Sequence, residues 1–201
     1  QVGDIGRMVD EFSAFARMPK PVPVKLDMRQ PLKEAAFLIE VSRPDVIIEK
    51  QLGDQPLNGL FDNRMLGQAF GNLIKNATEV IDGREADRAG EPGYVLVKAV
   101  SQAGNITIDI IDNGRGLPRE NRQRLLEPYM TTREKGTGLG LAIVRKIVEE
   151  HGGTLSLHDA PDDFHGGVGA DIRVTFPING TTSMLHAEDT TASAWELLPR
   201  P

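Results

Sequence analysis

Apolar positions along the chain change period several times, and each change marks an element. At the start, Val2, Ile5, Val9, Phe12 and Phe15 step at helical intervals in a narrow stripe, the pattern of a bundle or coiled-coil seam. A single helix carrying such exposed apolar residues is unstable alone, so residues 1–18 predict a partner helix, a second subunit, or both. Met18-Pro19-Lys20-Pro21-Val22-Pro23 then interrupts the stripe. Three alternate prolines make a stiff, extended connector, which places a domain boundary at residues 19–24.

Residues 24–28 read as a short strand. Pro31 suits the first turn of a helix, to which Leu32, Ala35, Ala36, Leu38 and Ile39 give an apolar face. Strands follow at 46–52 and, more weakly, at 57–61. Asp62 is placed to cap a helix over 63–82 with a core stripe of Leu66, Phe70, Leu73, Ala77 and Ile81. After a glycine-rich, charged loop come strands at 94–100 and 106–111, joined by a turn short enough to require an antiparallel hairpin. Residues 115–135 carry no periodic core pattern and read as a long loop, the usual form of a lid. The wide apolar arc of Leu139, Leu141, Ile143, Val144, Ile147 and Val148 predicts a well-buried helix over about 138–151, ended by Gly152-Gly153. Strands at 154–158 and 170–176 complete a domain of residues 25–179. Beyond it the pattern dissolves into Thr, Ser and Ala, and residues 180–201 read as a disordered tail with one Trp-Leu-Leu cluster.

Composition narrows the function more than the fold. The 201 residues suit one ordinary domain plus something smaller, and 39% hydrophobic content is enough for a core. No apolar run approaches the length of a membrane span. The chain begins Gln1-Val2-Gly3, with neither an initiator Met nor a signal-peptide pattern, as expected for a piece of a longer protein. The absence of cysteine excludes disulfides and thiolate metal sites and fits a cytoplasmic setting. A net charge of −6 without a basic block argues against nucleic acid as a partner.

The candidate chemistry lies between Asp112 and Val144. Asp112 falls at the end of the alternating strand Ile106-Ile108-Ile110 and opens Asp112-Asn113-Gly114-Arg115-Gly116. A carboxylate there only accepts hydrogen bonds, and so would favour adenine, which offers an amine where guanine offers an oxygen. Taken alone, Asp-Asn-Gly is a common hairpin turn. Further on, Gly136-Thr137-Gly138-Leu139-Gly140-Leu141 leads into the apolar helix. Bare backbone N–H groups at such a helix start, together with the helix dipole, suit phosphate oxygens. The dinucleotide and Walker A fingerprints are both absent, because no βαβ unit with a ribose-binding acid and no Gly-Lys-Ser/Thr occurs. Thr131, Thr132, Arg133 and Lys135 can reach phosphates from the loop. Asn72 and Asn76 share one stripe of the 63–82 helix at the edge of its core face, and a neutral amide oxygen suits Mg2+ whose shell is completed by phosphates and water. Separately, each Asn also reads as an ordinary packing or surface residue.

Asn72…Asn76, Asp112-x-Gly114-x-Gly116, Glu127-Pro128-Tyr129-Met130-Thr131-Thr132 and Gly136-Thr137-Gly138-Leu139-Gly140-Leu141 resemble, in order and spacing, the N, G1, F and G2 boxes of bacterial sensor histidine kinases. Asp10-Glu11-Phe12-Ser13 with Phe15-Ala16-Arg17-Met18-Pro19 is most similar to the nitrogen-regulation, NtrY-like group. The resemblance covers about residues 1–178. It implies an α+β fold: a two-layer α/β sandwich whose mixed, largely antiparallel sheet is covered by helices, of the Bergerat ATP-binding type. Ahead of it would stand one amphipathic helix, the second of a dimerising, phosphoaccepting hairpin.

The same resemblance implies that ATP is bound with Mg2+, with Asn76 on the metal, Asn72 near the phosphates and Asp112 on adenine. Gly114 and Gly116 would form the base of the lid. Thr131, Thr132, Lys135 and residues Gly136, Thr137, Gly138, Leu139, Gly140 and Leu141 would serve the phosphates. Gly169-Ala170 matches the last glycine box, with Ala170 where a Thr is often found, and Tyr129-Met130 replaces a usual Phe-Phe. Expected partners are the chain's own acceptor hairpin, a response-regulator receiver domain and a second copy in a homodimer. The parent is expected in a bacterial inner membrane, with this part on the cytoplasmic side. No His precedes His151, so the acceptor is not among these residues and the chain alone is expected not to phosphorylate itself. Two rivals are an ATP-hydrolysing relative of Hsp90, gyrase and MutL, and a non-catalytic ATP-sensing or dimerisation module. The hydrolases place a Glu one turn before the metal-binding Asn, where this chain has Asn72.

Overall fold

A computed structural model describes residues 13, 17–83, 90–130 and 137–178. The predicted helix over 1–18 lies almost wholly outside the described residues, as does the predicted tail. What is described there is Ser13, Arg17 and Met18: Arg17 N–H donates to Ser13 O at 3.1 Å, and Met18 packs against the core of the following domain.

That domain has two layers. One is a five-stranded sheet in the order β2 (Val46–Gln51), β4 (Gly93–Gln102), β5 (Asn105–Asp112), β7 (Ala170–Pro177) and β6 (Thr154–Asp159). Only β2 and β4 run parallel; the other three pairings are antiparallel. The second layer holds α1 (Arg29–Ser42), α2 (Asn63–Ile81) and α3 (Gly140–Glu150), with α2 packed between the other two. A separate antiparallel pair, β1 (Val24–Asp27) with β3 (Asn58–Phe61), stands beside them. Among the described residues no helix is long and apolar enough to cross a membrane.

The core lies between the layers. Alternation turns Ile106, Ile108 and Ile110 of β5 and Ile172, Val174 and Phe176 of β7 toward the helices, and all are buried. The predicted α2 stripe, Leu66, Phe70, Leu73, Ala77 and Ile81, is buried throughout. Asp62 caps that helix, its Oδ1 accepting from Met65 N–H at 3.0 Å.

Three local expectations need correction. Helix α1 buries Pro31, Leu32, Ala35 and Ala36, while Leu38, Phe37 and Val41 are exposed on its outer side. Only one flank of α1 meets α2 and β2, and a step of 100° per residue carries Leu38 away from that flank. The stretch predicted as a structureless loop contains a 3-10 turn, Arg122–Leu126, because Leu126 finds a buried place beside α3. Helix α3 starts at Gly140 rather than near 138, since Gly138 is held at φ +69°, outside the right-handed helical region.

Phe70 is fully buried at the centre of α2. Phe70→Ala is expected to lower the unfolding free energy by about 3–5 kcal/mol, measured by urea denaturation; a loss below about 1 kcal/mol would show that this helix face does not anchor the core.

Candidate nucleotide site

Strand β5 ends at Asp112, whose side chain points into the layer between sheet and helices and is 2% exposed. Burial would expel a bare carboxylate, so the backbone supplies donors. Gly114 N–H reaches Asp112 Oδ1 at 2.8 Å, and the Ala170 amide also hydrogen-bonds this carboxyl. Burial still dominates. Assisted by the neighbouring Asp171 charge, it pushes the Asp112 carboxyl from an ordinary 3.8 up to about 7.

Strand register explains the Ala170 donor, because Ala170 lies directly opposite Asp112 in the β5–β7 pairing. Just before it, Gly169 adopts φ +138°, and a Cβ there would lie 1.8 Å from Asp112 O. No residue with a side chain fits at that crossing. Gly116 is packed against Gly169 O in turn, so Asp112, Gly114, Gly116, Gly169 and Ala170 form one cluster.

Asn113 was legible only as part of a turn, yet it is fully buried and structural. Its Oδ1 accepts from Tyr94 N–H at 2.8 Å, its Nδ2 donates to Pro92 O at 3.0 Å, and its own N–H donates to Tyr94 O at 3.1 Å. These bonds tie the segment after Asp112 to the start of β4. The sequence did hold a signal: no strand partner follows Asp-Asn-Gly closely enough for a hairpin.

Helix α2 runs past this cluster. Asn72, Asn76 and Val80 share a stripe, and both Asn residues are half-buried. Val80 meets Gly114, where a Cβ would come within 2.8 Å of the Val80 side chain and equally near Asp112 Oδ1. One turn earlier, the Asn76 amide faces Gly140, 3.4 Å from where that residue's Cβ would be. A single helix stripe thus joins the Asp112 cluster to the first turn of α3.

The N-cap position of α3, Leu139, makes no side-chain capping bond. The first-turn N–H groups of a helix have no intrahelical partner, so this end presents donors and the positive end of the dipole beside Asn76. Leu139 itself is buried, while Thr137, Gly138, Gly140 and Leu141 are half-buried. Gly138 also approaches the preceding loop closely: a Cβ would lie 2.5 Å from Tyr129 C, and Tyr129 N–H donates to Gly138 O at 3.0 Å. The structure therefore brings together Asn76, Asp112, Gly114, Gly116, Gly138, Gly140 and Ala170, with Asn72 on the same helix stripe. Thr131, Thr132, Lys135 and Gly136 lie outside the described residues.

A buried carboxyl at the end of a central strand, an Asn-bearing helix and an uncapped helix start make up the candidate site. Residues 61–180 match the model of the family described as histidine kinase-, DNA gyrase B- and HSP90-like ATPase. The chain belongs to this family, and it has the fold of the ATP-binding catalytic domains of sensor histidine kinases. It is 51% identical over 96% of its length to the nitrogen regulation protein NtrY of Azorhizobium caulinodans, covering 24% of that protein. Identity to a putative NtrY-like sensor histidine kinase of Rickettsia felis is 32% over 87% of the chain and 27% of the relative. The chain spans about a quarter of the length of these relatives. Among solved structures, a chain of the mycobacterial sensor histidine kinase MprB aligns with a TM-score of 0.66 at 27% identity, over 78% of this chain and 97% of that one. Full-length ShkA in complex with AMPPNP aligns at 0.70 and 25% identity, over 88% of this chain and 36% of that one.

The elevated Asp112 value has a consequence for stability. A carboxyl whose folded value, about 7, exceeds its ordinary 3.8 contributes stability that is fully present below about pH 4 and is lost as pH rises to about 7. Asp112→Asn removes that loss. Relative to the wild type, the variant is expected to gain stability progressively from about pH 4 and to level off above pH 7, by on the order of 4 kcal/mol. Thermal melts across this range check the sign: a variant that is less stable at pH 8 would mean that Asp112 is favourably ionised without a ligand.

Proposed function

We propose that this chain is the ATP–Mg2+-binding part of an NtrY-like sensor histidine kinase, transferring the terminal phosphoryl group of ATP to a His on a hairpin to which residues 1–18 contribute the second helix. The observation that carries the reading is the single α2 stripe along which Asn76 faces the start of α3 and Val80 packs on the Asp112 turn. In this reading the adenine amine donates to Asp112, and the N–H groups at Thr137, Gly138, Leu139, Gly140 and Leu141 hold the phosphates, with Thr131, Thr132, Lys135 and Gly136 closing from the loop. Asn72 borders the phosphates and Asn76 holds the metal. A neutral amide beside a helix start suits a hard cation that shares most of its shell with phosphate and water. Such a cation would neutralise charge on the phosphates. The chain's own residues contribute orientation and hydrogen bonds, which are the main demands of phosphoryl transfer.

The acceptor imidazole nitrogen forms the new P–N bond as the bond from the γ-phosphorus to the bridging oxygen breaks, releasing ADP, and the imidazolium proton is lost to solvent. Relay to an Asp of a response regulator follows, in a membrane-anchored homodimer on its cytoplasmic side. The likeness to NtrY supports this setting, and the related ThkA has been crystallised in complex with the response regulator protein TrrA. Asn72, which cannot act as a general base for water, disfavours simple ATP hydrolysis.

Titration calorimetry with AMPPNP is expected to give binding that depends on Mg2+ and is weakened at least about tenfold by Asn76→Ala; affinity unchanged by either would remove the proposed metal role. Because the amine needs an ionised Asp112, affinity should fall as pH drops below about 7, by up to tenfold per unit, and stay flat above it. Asp112→Asn should abolish that pH dependence and narrow the preference for ATP over GTP; an intact preference would contradict the adenine contact. Incubated with labelled ATP, the chain is expected to phosphorylate a separately made acceptor hairpin while gaining no phosphohistidine itself. Label on the chain would place an acceptor within these 201 residues.

A further inference from the structure

Asp62 does more than cap α2. While Oδ1 accepts from Met65 N–H, Oδ2 accepts at 2.9 Å from the N–H of Val22, forty residues earlier in the proline-rich connector. Burial works against the Asp62 carboxylate, but the Val22 and Met65 amides outweigh it and hold the group below the ordinary carboxylate range.

The backbone of the same residue reaches the other site-bearing helix. Asp62 N–H donates at 3.1 Å to Nε2 of His151, the fully buried residue at the C-terminal end of α3. Since the amide can only donate, Nε2 carries the lone pair. The proton therefore sits on Nδ1, which donates to Ile147 O at 2.7 Å. The imidazole forms a triangle with the rings of Phe61 and Phe176, 6.3 and 6.2 Å from them while they stand 5.8 Å from each other. The helix carrying Asn72 and Asn76 and the helix whose first turn faces Asn76 are thus fastened at one buried junction. The connector is hydrogen-bonded to that junction, and Met18, just ahead of it, packs on the core.

We propose that Asp62 and His151 are positioning residues: they clamp the connector to both nucleotide-bearing helices and so fix the direction in which the site faces the helix preceding it. Neither residue touches the nucleotide. The inference rests on the reading that residues 1–18 belong to the acceptor hairpin, because only then does the connector's direction govern phosphoryl transfer.

Val22 separates the clamp from the fold. Its side chain is 73% exposed, and Val22→Pro deletes the N–H that Asp62 accepts, whereas Val22→Ala keeps it. Asp62→Ser provides a second route, retaining a cap for α2 without the second oxygen. In the longer parent protein carrying its own hairpin, Val22→Pro and Asp62→Ser are expected to slow phosphorylation of that hairpin at least about tenfold, the scale of a small misplacement of reacting groups. In the 201-residue chain, both variants should keep Mg2+-dependent AMPPNP affinity and phosphorylation of a separate hairpin within about twofold of wild type. Val22→Ala should match wild type throughout.

A wild-type rate for Val22→Pro in the parent would overturn the clamp. Equal losses in nucleotide affinity and in both transfers would also overturn it, by reducing the junction to a support of the fold. A wild-type chain that neither binds AMPPNP nor phosphorylates any hairpin would overturn the functional reading instead, and this inference with it.

Discussion

Holding an acid side chain almost out of reach of water is the demand that shapes the centre of this domain. At Asp112 the backbone meets it from two directions, through the Gly114 amide just downstream and the Ala170 amide across the β5–β7 pairing. Both donors arrive only if the chain turns sharply after β5 and if Gly169 passes directly against Asp112 O. Asn113 keeps that turn in place by filling the remaining hydrogen-bonding needs of Tyr94 and Pro92. Two amides leave the carboxyl only partly satisfied, which is why burial still lifts it to about 7. A further donor from a bound purine would complete the set.

Helix α2 links this local arrangement to the start of α3. Its buried stripe sets the rotation of the whole helix, and that rotation leaves Asn72, Asn76 and Val80 along the flank nearest the Asp112 turn and the start of α3. The same packing that stabilises the domain therefore decides where the polar groups point. Tyr129, at φ +66° and bonded to Gly138, fixes where the loop before α3 departs. An L-residue in that conformation is unfavourable by about 1–2 kcal/mol, so neighbouring contacts must hold it there.

Much of this was readable one element at a time. The Leu66–Phe70–Leu73–Ala77–Ile81 stripe, the Asp62 cap and the alternation of β5 and β7 each follow from residues close together in sequence, and each appears where the local pattern places it. The Asn pair, the Asp112 turn and the glycines before α3 were also visible as motifs. Pattern alone did not reveal what depends on distant partners. That Ala170 faces Asp112 is a fact of register, that Leu38 points outward depends on which flank of α1 is covered, and that Asn113 is a bracket depends on Tyr94 passing beside it. Asp62 shows the division within one residue: its cap bond was foreseeable from three residues away, while its bonds to Val22 and His151 span 40 and 89 positions.

The one parallel pairing among the described residues, β2 with β4, bears on how the molecule assembles. Hairpin β4–β5 joins neighbours through a tight turn, but β2 can take its place only after everything from Gln51 to Gly93, including α2, has been brought round. Loop closure of that kind comes at an entropic cost before any contact rewards it, so it belongs to the slow part of folding. Asn76 rides on that intervening segment and Asp112 on the locally paired hairpin. The nucleotide site proposed above, which takes in both residues, is therefore completed only in the finished fold, and a ligand bound there would shift the equilibrium toward that fold by mass action.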